Sequence, residues 1–278
     1  MKDKVYVITG AASGIGRAFL ESVIKHDNIV FAGYRTEAKA EELKQISNKI
    51  YPFYADYSKP ETIESACEFI KSKCNKIDRL INVAGCVVAG PIETIDVNEI
   101  RRQFNVNVFG HIEITQRLIE LLQNGRIINI SSMASYGVFP FISPYCASKK
   151  CLDMFFNSLL VENKKNIEVV SIKPGVISTP LWEKSINENT KHLGNCDGYQ
   201  KEMKFIINNA RKNETGGLRV EEVVKVIEKA DNAEHPKLSY NVGIDSKLAS
   251  IVSLLPQCCL NKIIKLGMKL RKNSCRDL

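Results

Sequence analysis

Tyr145 and Lys149 stand four residues apart in the stretch SPYCASKK, residues 143–150. On a helix this spacing sets both side chains on one face, a single turn apart. A phenol titrates near pH 10, so at neutral pH it donates a proton readily and accepts one rarely. Working in both directions requires a lowering of about three pH units, or roughly 4 kcal/mol, toward which a neighbouring cation contributes. The pair is therefore equipped for general acid–base chemistry on an oxygen. Spacing alone does not separate it from two surface residues, because helices hold many such pairs by chance.

A second candidate lies near the start. The apolar run KVYVIT (4–9) leads into TGAASGIGRAF, with glycines at Gly10, Gly14 and Gly16. Glycines let the chain turn tightly and let a phosphate approach the backbone. The helix that follows offers free N–H groups and a positive dipole end to that phosphate. A glycine trio is common in loops. This one gains weight from the buried-strand pattern before it and the amphipathic pattern after it, and it reads TGxxxGxG rather than GxGxxG.

Both motifs need a frame. Apolar runs of strand length recur at 4–9, 28–34, 50–55, 78–85, 125–131 and 167–175, nearly continuous in apolar character, as strands covered on both faces must be. Between them lie helical patterns such as EAKAEELKQI and PETIESACEFIKSKC, a longer helix over 96–123 and another over 143–163. Strand–helix repetition predicts a doubly wound α/β fold, a parallel sheet with helices on both faces. After Gly175 the rhythm changes: a polar helical excursion over about 179–213, a helix over 219–230, a last strand over 237–243 and a helical tail over about 246–278. With no Gly/Pro/Ser linker, repeat or low-complexity tract, residues 1–278 read as one domain.

Composition narrows the function classes. The chain has 278 residues, and no stretch of it reaches the roughly 18 uninterrupted apolar residues of a membrane span. The first residues run straight into a strand pattern without a signal-peptide core, so the expected address is cytoplasmic. Nine cysteines, without CxxC pairs or histidines at zinc spacing, read as reduced thiols, and no metal is expected. The net charge is +8, but 261–278 hold six bases (Lys262, Lys265, Lys269, Arg271, Lys272, Arg276) against Asp277, which is +5. The body is close to balanced, which argues against a nucleic-acid partner.

With these motifs assembled, the chain resembles the short-chain dehydrogenase/reductase family. Residues 9–16 match its cofactor turn, and NVAG (82–85) resembles its NNAG, with Val83 in place of the second asparagine. PGVISTP (174–180) is similar to the PGxxxTP-like stretch beside the nicotinamide, and the matches run in order through nearly the whole chain. The resemblance implies a Rossmann fold and a cofactor site formed by Thr9, Gly10, Ser13, Gly14, Ile15, Gly16, Tyr34, Arg35, Asp56, Asn82, Ala84, Gly85, Tyr145, Lys149, Pro174, Gly175, Val176, Ile177 and Thr179. Asp56 matches the position that contacts adenine. It also implies a catalytic set of Asn107, Ser132, Tyr145 and Lys149. The family interval picks Ser132 rather than Ser131, with Ser135 a competitor, and Asn107 has Asn105 as its near neighbour. In that set Ser132 and Tyr145 bond the substrate oxygen, Tyr145 transfers the proton, Lys149 lowers the tyrosine pKa and bonds the ribose, and Asn107 holds a water.

The end of the second strand bears on the cofactor. NAD enzymes commonly place a carboxylate there, and NADP enzymes need a cation for the 2′-phosphate. Here Tyr34 stands where the acid would sit and Arg35 follows, so NADP(H) is favoured over NAD(H); Arg17 is either a further cation or a surface residue. Tyr136, Val138, Phe139, Phe141, Leu181 and Trp182 suit an apolar ligand or simply pack together. TPLWEKS, KLSYNVGIDSKL and the following LLP resemble the 17β-hydroxysteroid and retinol dehydrogenase branch. The expected function is NADP(H)-dependent interconversion of a lipophilic, steroid- or retinoid-like alcohol and its ketone or aldehyde, in lipid metabolism. The alternatives are a reductase of an acyl-chain or small carbonyl substrate and a non-catalytic NADP(H)-binding sensor. Family members often form homodimers or homotetramers through helices after the fourth and fifth strands. Lys262, Lys265, Lys269 and Lys272 share one face of the tail helix, which either caps the core or makes peripheral contact with an anionic membrane.

Overall fold

The central strands are buried on both sides, which is why they lack polar alternation. In the computed structural model, which describes residues 3–179, 181, 185 and 198–274, Tyr6 and Ile8 pack into one core cluster and Val7 into another. The same division separates Leu80 from Ile81 and Val169 from Val170. Successive side chains point to opposite faces, so a strand with two cores must be apolar throughout.

Among the described residues seven strands form the sheet: β1 (Val5–Ile8), β2 (Ile29–Tyr34), β3 (Ile50–Tyr54), β4 (Arg79–Asn82), β5 (Arg126–Ile130), β6 (Glu168–Pro174) and β7 (Ser239–Val242). All pairings are parallel and the spatial order is β3-β2-β1-β4-β5-β6-β7. Helices α1 (Gly14–Val23), α2 (Glu37–Lys44) and α8 (Val220–Asn232) feed the first cluster. Helices α3 (Pro60–Lys73), α5 (Gly110–Leu118) and α6 (Ser143–Glu162) feed the second. This is the expected doubly wound fold. Chain order reverses on either side of β1, and there a crevice opens at the carboxyl ends of the strands.

Two helical segments depart from their sequence pattern. The helix expected over 96–123 forms as α4 (Val97–Phe104), a wide π turn (Asn105–Phe109), α5 and a closing 3₁₀ turn (Ile119–Leu122). The Gly110 N–H reaches back five residues to the Asn105 carbonyl. The Tyr57 ring lies against Gly110 so closely that a Cβ there would stand 2.5 Å from Cδ2. The expected helical tail forms as α9 (Ile244–Val252) and α10 (Gln257–Ser274), separated at Pro256, which has no N–H to continue a helix. Of the excursion expected over 179–213, α7 (Gln200–Gly216) is described, and most of 180–197 lies outside the described residues.

The end of the sheet away from the crevice is held by a buried carboxylate. Asp231, at the end of α8, accepts hydrogen bonds from Tyr6 Oη (2.7 Å), Lys4 Nζ (3.2 Å) and Arg79 Nε. Burial works against its charge, but Arg79, Tyr6 and Lys4 outweigh that and hold its pKa below the ordinary value. Its contribution to stability is therefore present above the ordinary carboxylate range and is lost as pH falls. Asp231→Ala leaves the Tyr6 hydroxyl and the Arg79 guanidinium without this acceptor. It is predicted to cost about 3 kcal/mol in urea unfolding at pH 7, with a smaller loss at acid pH; equal losses at both would refute the charge-based account.

Candidate active site

The crevice forms a cavity of about 370 Å³ bounded by the carboxyl ends of the central strands. Its wall begins with the glycine turn. Gly10 (φ +62°) and Gly14 (φ +54°) occupy left-handed backbone that side chains rarely adopt. Gly16 is buried inside α1 and does not line the cavity; a Cβ there would stand 2.4 Å from the Gly10 carbonyl oxygen, so this glycine permits close packing of turn on helix. Ser13 precedes α1 without a side-chain capping bond, and the first turn of α1 carries no acid. That helix end is left open to an anion.

Thr9 ties the turn to the loop after β4, its Oγ1 accepting from the N–H groups of Val83 (2.8 Å) and Ala84 (3.1 Å). The main chain at Val83 is thus fixed through its N–H, whatever side chain stands there. Asn82 is buried and not among the residues lining the cavity, and it donates to Asn129 Oδ1 (2.8 Å), joining β4 to β5. Ala84, Gly85, Pro174, Gly175, Val176, Ile177 and Thr179 line the wall, as do Ser13, Gly14 and Ile15. The 174–179 segment is pinned from both sides: Val176 donates its N–H to Asp245 Oδ2 (2.7 Å), and Ser178 donates its N–H to the Leu218 carbonyl (2.9 Å).

One end of the cavity is bounded by Tyr34, Arg35, Thr36, Lys39 and Asp56. Burial raises the Asp56 pKa, but Ser58, Arg35 and Lys59 outweigh it and hold the carboxyl below its usual range. Sequence reasoning missed Lys39; its signal was available, since it stands four residues after Arg35 in the first turn of α2. Its ammonium is also bonded to Glu42 (2.7 Å).

Ser132, Tyr145 and Lys149 meet at the other end. Ser132 begins a 3₁₀ turn (Met133–Tyr136), its Oγ accepting from the Ala134 N–H (3.1 Å). Tyr145 lies in the first turn of α6, a helix that Pro144 helps to start. Lys149 is buried; its Nζ donates to the Ile130 carbonyl (2.8 Å) and lies 5.8 Å from the Tyr145 ring centroid. Burial pushes the Tyr145 phenol up to about 12, with the bond to Ser132 working the other way. Burial pulls Lys149 down to about 8, opposed by Asp153. Desolvation dominates, and Lys149 directs its ammonium to a carbonyl rather than to the phenol.

Ser131 also lines the cavity, and its buried hydroxyl has no hydrogen-bond partner among the described residues; Ser135 is buried away from the wall. Asn107 is fully buried behind the wall. Its Oδ1 accepts from the Cys86 N–H (2.9 Å), and its Nδ2 donates to the Cys86 carbonyl (3.0 Å) and Ser148 Oγ (3.0 Å). The π turn around Asn107 puts it there, and Asn105, half-buried, is not part of the wall. His111, one turn further on, was missed: burial pulls its pKa down to about 3, so the neutral ring donates Nε2–H to the Ala84 carbonyl (2.8 Å). Asp153 was missed too, although it follows Lys149 at the helical spacing by which Lys149 follows Tyr145.

Of the expected apolar residues, Phe139 and Leu181 line the cavity, joined by Met133 and Ile142. Tyr136 instead donates to Asn241 Oδ1 (2.8 Å), Val138 is exposed, Phe141 packs edge-on against Tyr199, and Trp182 lies outside the described residues. The residues present fit a dinucleotide. Main chain free of side chains at Gly10 and Gly14 and an uncapped helix end suit phosphates, and the Ser131 hydroxyl, without a partner among the described residues, offers a polar contact in the wall.

The short chain dehydrogenase family profile matches residues 4–190. The chain is 29% identical to an NADPH-dependent 3-dehydrocapnine reductase of Ornithobacterium rhinotracheale, over 95% of this chain and 96% of that protein. It is 30% identical to estradiol 17-beta-dehydrogenase 2 of Mus musculus, over 95% of this chain and 75% of that one. A short-chain dehydrogenase from Streptomyces avermitilis superposes with a TM-score of 0.76 at 21% identity, over 98% of each chain. The chain thus belongs to the short-chain dehydrogenase/reductase family of NAD(P)-binding oxidoreductases that act on alcohol and carbonyl groups, on a branch resembling 17β-hydroxysteroid and retinol dehydrogenases.

Proposed function

We propose that this protein is an NADP(H)-dependent oxidoreductase that interconverts a lipophilic alcohol and its ketone or aldehyde, with Tyr145 as acid and base. The observation that carries this reading is one cavity with Ser132, Tyr145 and Lys149 at one end and Arg35 and Lys39 at the other. The resident cofactor, when bound, supplies or accepts the hydride at the substrate carbon. The glycine turn and the N-terminus of α1 would hold its phosphates, and Arg35 and Lys39 a ribose phosphate. A protonated Tyr145 donates to the substrate oxygen as that oxygen gains charge, while Ser132 offers a second hydrogen bond to the same atom. Lys149 keeps positive charge beneath the phenol, which favours the tyrosinate left after proton transfer. Asn107 positions the Cys86 loop and Ser148 behind them.

Met133, Phe139, Ile142 and Leu181 make the substrate end apolar, which supports a lipophilic substrate. Exposed Phe109, Met154, Phe155 and Val161 on the outer helices support assembly into a homodimer or homotetramer. The deciding experiment is NADPH consumption across steroids, retinoids, long acyl-chain ketones and small carbonyls, repeated with NADH. Turnover restricted to small carbonyls would overturn the lipophilic assignment, and no oxidation with any carbonyl would leave a cofactor-binding sensor.

Arg35 also yields a test. Arg35→Glu replaces a guanidinium at the cavity end with a carboxylate. It is expected to raise KM for NADPH about 10–100-fold while leaving KM for NADH nearly unchanged, because a charge-assisted bond to phosphate contributes about 1.5–3 kcal/mol. Equal changes for the two cofactors would remove Arg35 from phosphate recognition.

A further inference from the structure

Helix α9 is built inside out. Its inward face is polar: Ser246 is fully buried, and its Oγ donates to the Lys173 carbonyl (2.7 Å). Asp245 accepts from the Val176 N–H (2.7 Å), and Ser250 Oγ accepts from Asn241 Nδ2 (3.3 Å). Its outward face is apolar: Ile244 (76% exposed), Leu248, Ile251 (64%) and Val252 follow at the spacing of one helical stripe. A helix serving a core has the opposite arrangement. Leu254 (83%) and Leu255 continue the apolar surface into the turn before α10. In α10 only Leu260 among the described leucines and isoleucines is buried, while Ile263 and Leu266, three residues apart, are exposed on one face.

The charge around this surface has one sign. Lys247, Lys262 and Lys265 are exposed, and the sequence adds Lys269, Arg271 and Lys272. The single acid of 244–274 is Asp245, which is turned inward onto Val176. Six bases and one acid give +5 over this segment. An apolar stripe flanked by lysines matches the depth profile of a lipid interface, where hydrocarbon meets anionic headgroups and long cationic side chains reach outward to them. A second copy of the chain fits poorly, because a two-fold contact would set these lysines against one another. No helix among the described residues is long and apolar enough to cross a membrane, so contact would be peripheral.

We propose that α9, the 253–256 turn and the first half of α10 form a docking face for an anionic lipid bilayer. Asp245 and Ser246 bond this face to the cavity wall at Val176 and to β6, so a docked bilayer would lie beside the site itself. Vesicle binding is read without turnover, so its outcome is independent of the proposed chemistry.

The test is co-sedimentation of the full chain with vesicles of phosphatidylcholine alone and of phosphatidylcholine with about 30% phosphatidylserine. At least about tenfold more protein should pellet with the anionic vesicles, and raising salt to about 0.5 M should remove much of that excess. The double variant Leu248→Glu/Ile251→Glu should lose pelleting with an unchanged circular-dichroism melt. Lys262→Glu/Lys265→Glu, which leaves the apolar stripe intact, should lose the preference for anionic vesicles. Absence of pelleting with the anionic vesicles would overturn the proposal, as would binding undiminished in both variants. A fall in particle mass by light scattering in Leu248→Glu/Ile251→Glu, without vesicle binding by the parent chain, would assign the face to self-association instead.

Discussion

Replacing Tyr145 with phenylalanine is expected to lower kcat by about 10²–10⁴-fold, the range supplied by a positioned general acid. The affinity for NADP(H) should change by no more than about threefold, because the ring and its packing remain and only the hydroxyl is lost. Stopped-flow reduction and fluorescence titration of the cofactor measure the two quantities separately. The phenol's pKa of about 12 in the protein alone also gives a sign. A protonated tyrosine donates at any neutral pH, so carbonyl reduction should be flat between about pH 6 and 8. Alcohol oxidation requires the deprotonated form and should accelerate as pH rises. Turnover retained by Tyr145→Phe would refute the assignment, and loss of cofactor affinity in parallel would make the residue structural.

Lys149→Met is expected to do the reverse of most core substitutions and stabilise the cofactor-free protein at pH 7 while abolishing turnover. Burial holds the Lys149 pKa at about 8, below its ordinary 10.5. For a base lowered in the folded state, folding carries the cost of the buried charge in full below about pH 8. That cost fades as pH rises toward the unfolded value. The shift corresponds to roughly 3 kcal/mol, from which about 1 kcal/mol is subtracted for the Ile130 carbonyl left without its donor. A net gain of about 1–2 kcal/mol should raise Tm by several degrees at pH 7 and vanish near pH 10. Saturating NADP(H) should narrow the difference, because a bound ligand stabilises the parent chain more. A lower Tm for the variant at pH 7 would show that the ammonium is held at no cost.

Much of this was legible from residue order. Periods of two and of 3.6 residues, and strands apolar throughout, describe a sheet covered on both faces without reference to any coordinate. The glycine turn is legible because its requirement is local: Gly10 and Gly14 need left-handed backbone whatever surrounds them. Tyr145 and Lys149 share a face by helical spacing alone, and Arg35 follows its strand directly. Val83 shows where this stops. A lost asparagine is visible in the sequence, while the bond that holds the main chain there, Thr9 Oγ1 accepting from the Val83 N–H, joins residues 74 positions apart.

Residue types and local spacing determined the fold class, the glycine turn and the shared helix face of Tyr145 and Lys149, because each depends on neighbours within a few positions. Tertiary structure decided what those residues experience. It put the Lys149 ammonium on the Ile130 carbonyl and the Tyr145 phenol in a desolvated wall, so that both pKa values move toward the neutral forms. It buried Asn107 directly behind the cavity wall, on the Cys86 backbone and Ser148, in a π turn that the Tyr57 ring packs against at Gly110. It also faced the apolar stripe of α9 outward, because the serines opposite it are bonded to β6 and Asn241. The partners of individual polar groups arise only when distant segments meet, and no periodicity within one segment encodes them.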